Sequence, residues 1–353
     1  MRIAQRKFKA AILVELKKPL IIDEICLPEN LEPGQVLVKI HFSGICGSQL
    51  GEIDGVKGFD NYLPHLLGHE GSGNVIEVGP GVRHVKPNDH VVMHWRKGQG
   101  IEAMPPTYTW GDKKVNAGCI TTFSEYSIVS ENRLTVIPKN YDKELAALFG
   151  CAVTTGFGVI INNAKLKIGE SIIVYGAGGV GLNIIQAAAM TSAHPIIAVD
   201  LHPGRLKIAQ KAGATHVINA STRDPKSEIE QILKNASVDV FIDNTGIPEV
   251  IELGYYLTSA EGRVILVGVP PVGCNTSIHT LPLHFGKSIS GSHGGETIPH
   301  VDIPRYLSLH KSGKMRLDHL ITHRISLDGI NAGINGMRNG SIHGRIVIGM
   351  DAK

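Results

Sequence analysis

Cys46 stands between glycines in "FSGICGSQLG", just after the β-like run "VLVKIHFS", with no second cysteine beside it. His69 stands in "LLGHEGSG", followed by Glu70 and a trail of glycines, and Cys151 stands in "FGCAVTTG". Cys, His and Cys are the side chains that zinc takes in a catalytic site with one position left open. Here they are 23 and 82 residues apart (46 to 69, 69 to 151), so only the fold can bring them together. Taken singly, each also has an inert reading: Cys46 as a small buried thiol, His69 as a turn residue, Cys151 as a thiol at a helix start.

A second pattern binds phosphate. "SIIVYGAGGVGLNIIQ" places Gly176, Gly178, Gly179, Val180 and Gly181 directly after a strand and at the opening of a helix. Asp200 ends the next strand-like run, 19 residues past Gly181. That is the full context of a dinucleotide turn. One glycine makes the tight turn, the next lets pyrophosphate approach the backbone, and the last lets helix and strand pack. The helix N-terminus offers free N–H groups and partial positive charge to the phosphates. A carboxylate at Asp200 accepts ribose hydroxyls and repels a 2′-phosphate, so NAD is expected ahead of NADP. Arg205 complicates this, since a guanidinium pairs with phosphate; it reads as a helix-surface residue beside the ribose.

These residues need two kinds of scaffold. The chain has 353 residues, more than one core usually holds, with 42% hydrophobic and 19% charged residues. Up to about residue 140 it reads as short strands divided by Gly and Pro, a barrel-like β domain. A helical pattern then runs through "DKELAALFGCAVTTGFGVI", with Asp142 as its cap. From Ser171 strands and helices alternate, with continuous apolar strands, the pattern of a doubly wound parallel sheet. "LITHRIS" and "GRIVIGM" follow as strands that return to the first domain.

Net charge is +3, with no basic run to suit nucleic acid. Five scattered cysteines, with no CxxC pair, fit a reducing compartment rather than a disulfide framework. The apolar run "AAILV" is too short for a signal segment, and no run matches a membrane span, so a cytoplasmic protein is expected.

The order GICGS, GHEGSG, GCAVTTG, GAGGVG and Asp200 resembles the zinc-dependent medium-chain alcohol dehydrogenases over essentially the whole chain. The resemblance implies a GroES-like β-rich catalytic domain, residues 1–153 and 293–353, with a Rossmann NAD-binding domain, 154–292, inserted in it and the active site in the cleft between. It makes Cys46, His69 and Cys151 the zinc ligands, with Glu70 beside the metal as a neighbour or exchangeable ligand. It makes Ser48 the hydroxyl that takes the alcohol proton and Thr155 the residue packed on the nicotinamide. Val267 and His293 lie where backbone groups hold the carboxamide, and Arg345 lies near the pyrophosphate arginine. The implied activity is hydride transfer between NAD and a secondary alcohol or ketone.

The chain also departs from that pattern. The lobe with four close cysteines that holds a structural zinc is replaced by residues 94–118, which contain no cysteine and are followed by Cys119, so one zinc per chain is expected. The usual Asp that steadies the zinc-bound histidine is Gln49, whose amide oxygen is expected to accept from His69. A relay histidine often found nearby is Gly51. Residues 94–118 carry both tryptophans, and read either as a loop suited to a polyol, sugar or cyclitol or as a loop packed on its own barrel. A zinc-free quinone or enone reductase on the same plan, and a non-catalytic dinucleotide-binding protein, are the competing readings. An exposed Rossmann edge strand near "VILVGVP" suggests a homodimer or homotetramer.

Overall fold

The computed structural model describes residues 6–350; residues 1–5, the start of the basic N-terminal stretch, and 351–353 lie outside the described residues. The chain divides into two units. One comprises Met1–Cys151, Ile298–Leu309 and Ile321–Lys353; the other comprises Ala152–Thr297 and His310–Leu320. Residues 310–320 thus group with the second unit, where a single return at residue 293 was expected.

In the first unit, Lys7–Leu13, Ile21–Cys26, Thr107–Trp110, Lys113–Asn116 and His65–Leu66 close a five-stranded barrel. A second sheet runs in the order Leu134–Ile137, His90–His94, Glu70–Val78, Gln35–Ile45, Arg345–Gly349, Ile321–Ser326, and Tyr126–Ser130 also pairs with Gln35–Ile45. Val36, Val38 and Ile40 alternate along the long central strand and meet Ile346 and Ile348 in one core. The register sets Ile346 opposite Ile45, which brings Arg345 to the end of the strand that delivers Cys46.

Three readings are corrected here. Residues 107–116 are not loop but a barrel hairpin: "TYTW" alternates, Tyr108 is fully buried, and Gly111 turns at φ +59°. The helical run after Asp142 is not continuous. Asp142 does cap it, accepting from the N–H groups of Glu144 and Leu145, but Cys151 breaks it at φ −150°, ψ −66°. Ile330–Arg338 forms a helix that the sequence pattern left unmarked.

In the second unit six parallel strands lie in the order His216–Asn219, Ile196–Asp200, Ile172–Tyr175, Val238–Asp243, Thr258–Leu266, Ser288–Gly291. Proline occupies the first turn of three of the helices, at Pro203, Pro225 and Pro248, where its missing N–H costs nothing. The strand order reverses between Ile172–Tyr175 and Val238–Asp243, and the glycine turn leaves the end of the first of these, the usual ligand position in such sheets. The "VILVG" strand is internal. The edge on that side is Ser288–Gly291, because residues 288–291 pair with it along its outer flank. Among the described residues no single helix is long and apolar enough to cross a membrane.

Candidate metal centre and dinucleotide turn

Cys46 ends the strand Gln35–Ile45 and caps the helix Gly47–Ile53 in extended conformation. His69 follows Gly68, whose φ of +90° turns the chain into the strand Glu70–Val78. Cys151 follows Gly150, which lies flat on that same strand. A Cβ at Gly150 would meet the Met93 carbonyl at 2.3 Å and Glu70 Cα at 2.7 Å, so only glycine lets Cys151 come this close.

The three donor atoms lie within 4.8 Å of one another. Zinc bonds of about 2.0–2.3 Å at tetrahedral angles set donors roughly 3.5 Å apart, so a small closing movement completes the set. His69 Nδ1 is taken by Gln49 Nε2 at 2.5 Å, which leaves Nε2, buried and without a hydrogen bond, as the donor for a metal. The Cys46 thiol is held well below the ordinary thiol range. The chief cause is a hydrogen bond from Cys151; burial opposes it, and the charges of His69 and Arg345 add to it. Low thiol pKa and an orphaned buried imidazole nitrogen are what a zinc site needs. Among the described residues this is the one such cluster of His, Cys, Asp or Glu.

Around the three donors the structure places the remaining expected residues. Glu70 is fully buried and ion-paired with Arg345, itself 3% exposed and beside Cys46. Arg345, which the resemblance places near the cofactor phosphates, has its guanidinium beside Glu70 and Cys46. Ser48 is exposed in the first turn after Cys46. Gln49 differs from expectation. Its amide oxygen accepts from the Cys46 N–H at 3.1 Å, so its nitrogen faces His69. An amide has one acceptor atom where a carboxylate has two. A His69 that binds metal through Nε2 carries its proton on Nδ1 and needs an acceptor there. Gln49 cannot serve both groups. Gln49→Glu should therefore tighten zinc about 10- to 100-fold, read by competition with a chromogenic chelator. Equal or weaker binding would refute this account.

Trp95, which sequence reasoning noted only as part of a loop, packs its ring 6.3 Å from that of His69. The other aromatics of the segment serve the barrel: the fully buried Tyr108 hydroxyl accepts the Ile128 N–H at 2.8 Å, and Trp110 donates to Asp23 at 2.8 Å. Lys97 is ion-paired with Glu102.

In the second unit Gly176 turns at φ +98°, and a Cβ on Gly181 would lie 2.0 Å from its carbonyl. Gly178 caps the helix Gly179–Met190 and has open space where a Cβ would be, so Gly179 and Val180 present the free N–H groups of the first turn. Asp200 is 5% exposed and accepts the N–H groups of Ala177 at 2.8 Å and His202 at 2.9 Å, one on each oxygen. Arg205 pairs with it at 3.6 Å, a contact that sequence reasoning missed. The Val267 N–H is held by the Asp243 carbonyl and the His293 N–H by Glu296 Oε1. Thr155 is buried.

Comparison with known proteins agrees with this geometry. Residues 32–139 match the alcohol dehydrogenase GroES-like domain, and residues 179–312 match the zinc-binding dehydrogenase family. S-(hydroxymethyl)glutathione dehydrogenase of Paracoccus denitrificans is 32% identical over 370 residues, covering 94% of this chain and 97% of that protein. Among solved structures, benzyl alcohol dehydrogenase from Acinetobacter calcoaceticus superimposes with a TM-score of 0.87 at 29% identity, covering 98% of this chain and 99% of the other. For 2R,3R-butanediol dehydrogenase from Bacillus subtilis the TM-score is 0.78 at 29% identity, with 98% and 100% covered. The fold and the Cys–His–Cys centre define a zinc-dependent alcohol dehydrogenase. This chain belongs to the zinc-binding medium-chain alcohol dehydrogenase family.

Proposed function

We propose that the protein transfers hydride between NAD and the carbinol carbon of a small alcohol, with one zinc per chain at Cys46, His69 and Cys151. The observation that carries this is the convergence of three distant donors to within 4.8 Å. Zinc held there supplies a Lewis acid with one open position, which eases deprotonation of an alcohol hydroxyl. Ser48, exposed beside Cys46, receives that proton. Glu70 and Arg345 form a neutral buried pair under the ligands and fix the charge around them. On the other unit, Gly176 to Gly181 and the helix start take the pyrophosphate, and Asp200 takes the ribose hydroxyls with the lone pairs its two N–H bonds leave over. The backbone of Val267 and His293, whose N–H groups are engaged within the protein, would take the carboxamide through carbonyl oxygens, and Thr155 would back the ring.

Trp95 beside His69 favours an alcohol with a flat or apolar body over a heavily hydroxylated one, and Lys97 is already committed to Glu102. The relatives named above act, by their names, on an S-hydroxymethyl thiol, a benzyl alcohol and a diol. Purified enzyme with zinc and NAD, assayed by NADH absorbance against benzyl alcohol, 2,3-butanediol, ethanol, sorbitol and inositol, tests the reading. Benzyl alcohol or the diol should lead. No turnover with any of them would overturn it. We expect a homo-oligomer paired across the Ser288–Gly291 edge, to be measured by sedimentation.

NAD should outperform NADP. Facing Asp200 with a 2′-phosphate adds a like-charge contact and removes ribose hydrogen bonds, together on the order of 2–4 kcal/mol. Asp200→Gly also frees Arg205 from its 3.6 Å pair, so the variant should narrow or reverse the preference. Equal wild-type efficiency with both cofactors would remove the assigned role of Asp200.

A further inference from the structure

Trp95 lies on a stretch, residues 94–118, that contains no cysteine, yet its ring sits against that of His69. What holds it is polar. Glu131, 1% exposed, accepts three backbone N–H groups: Arg83 at 2.6 Å and His84 at 2.8 Å on one oxygen, Ile101 at 2.7 Å on the other. The Gly98 N–H reaches the Asn132 carbonyl at 2.7 Å, and Ser130 Oγ accepts from the Ala103 N–H at 2.7 Å. Arg133 completes the staple. It is 7% exposed, and its two terminal nitrogens donate to different partners, Nη1 to the Trp95 carbonyl at 2.7 Å and Nη2 to Glu102 at 2.9 Å. Its fork thus ties the backbone of Trp95 to the strand Leu134–Ile137 that follows it. A guanidinium with two fixed directions suits this; a flexible ammonium does not.

We infer that Arg133 is a positioning residue that fixes the Trp95 indole as a wall of the metal site. The inference rests on the alcohol dehydrogenase reading above. Losing Arg133 removes the bond from its Nη1 to the Trp95 carbonyl and lets residues 95–102 shift. The wall then moves relative to His69, and bulky alcohols feel it more than small ones.

The test has two arms. Trp95 and Trp110 are the two tryptophans of the chain. In a Trp110→Phe background, emission therefore reports Trp95 alone. Arg133→Met should raise acrylamide quenching of that emission about twofold or more, and Arg133→Lys should fall between, as expected when a buried donor pair is lost or halved. In the kinetic arm, the ratio of kcat/KM for benzyl alcohol to that for ethanol should change about tenfold in Arg133→Met. In a Trp95→Ala background the same substitution should leave the ratio unchanged, because the coupling is gone. An unchanged ratio in Arg133→Met, or an equal change with and without Trp95, would show Arg133 to be structural only. Unmoved emission in both variants overturns the inference by itself. If the wild-type enzyme oxidised none of the five alcohols named above, the functional reading would fail while the emission arm still judged Arg133.

Discussion

Cys151→Ala is expected to strip zinc from the protein and to lower turnover by at least about 10³-fold, the scale of several kcal/mol of lost charge stabilisation. The three donors act as a set. Two of them leave two sites to water, and bidentate holding is far weaker than tridentate holding. NAD binding should survive, since Gly176 to Gly181, Asp200 and Arg205 all belong to the second unit, whereas Cys151 ends the first. The substitution removes one small buried group, so the fold should persist. Cys274 is exposed and serves as the control: Cys274→Ala should keep its zinc and its rate. The readouts are zinc per chain by mass spectrometry and NAD affinity by titration calorimetry. Full zinc in Cys151→Ala, or wild-type turnover without it, would mean that the convergence of these donors is incidental.

Much of this architecture is legible in the chain because the signals are local. Continuous apolar strands alternating with proline-started helices mark the parallel sheet, and GAGGVG after "SIIVY" marks its turn. The metal centre is different. Nothing within 23 residues of Cys46 points to His69, and the inert reading of Cys46 as a small buried thiol is physically sound. Only the resemblance joined the three donors, and the structure supplies the reason: Gly150 lies flat on the strand of Glu70. The hairpin at 107–116 was legible in principle, since "TYTW" and Gly111 carry strand and turn signals, but the charged residues around it masked them. The staple on Trp95 was not legible. "ENR" at 131–133 looks like three surface residues, and burial alone reveals that their partners lie some 30 to 50 residues earlier. The same holds for Gln49, whose identity was plain but whose single acceptor atom is contested by Cys46 and His69.

Ser48→Ala should keep zinc and cofactor and still lose about 10²- to 10⁴-fold in kcat, the usual share of a positioned acid–base group. The argument starts from the turn. Cys46 caps the helix Gly47–Ile53, so Ser48 projects from the first turn two residues beyond a metal ligand, and it is exposed rather than spent in the core. In the proposed role its hydroxyl would accept the substrate proton and donate its own onward. Gly51 stands where the resemblance puts a relay histidine, so in this proposal the proton would leave through water, the ribose hydroxyls or a histidine from elsewhere in the chain. Without Ser48 the first transfer falls to bulk water. The residual rate should then climb with pH more steeply than the wild-type rate and show a larger solvent isotope effect. Ser48→Thr retains the hydroxyl and should recover most of the activity, which separates loss of the proton path from disturbance of the helix start. Wild-type kcat in Ser48→Ala with full zinc would reduce Ser48 to a turn residue and leave the proton to another group.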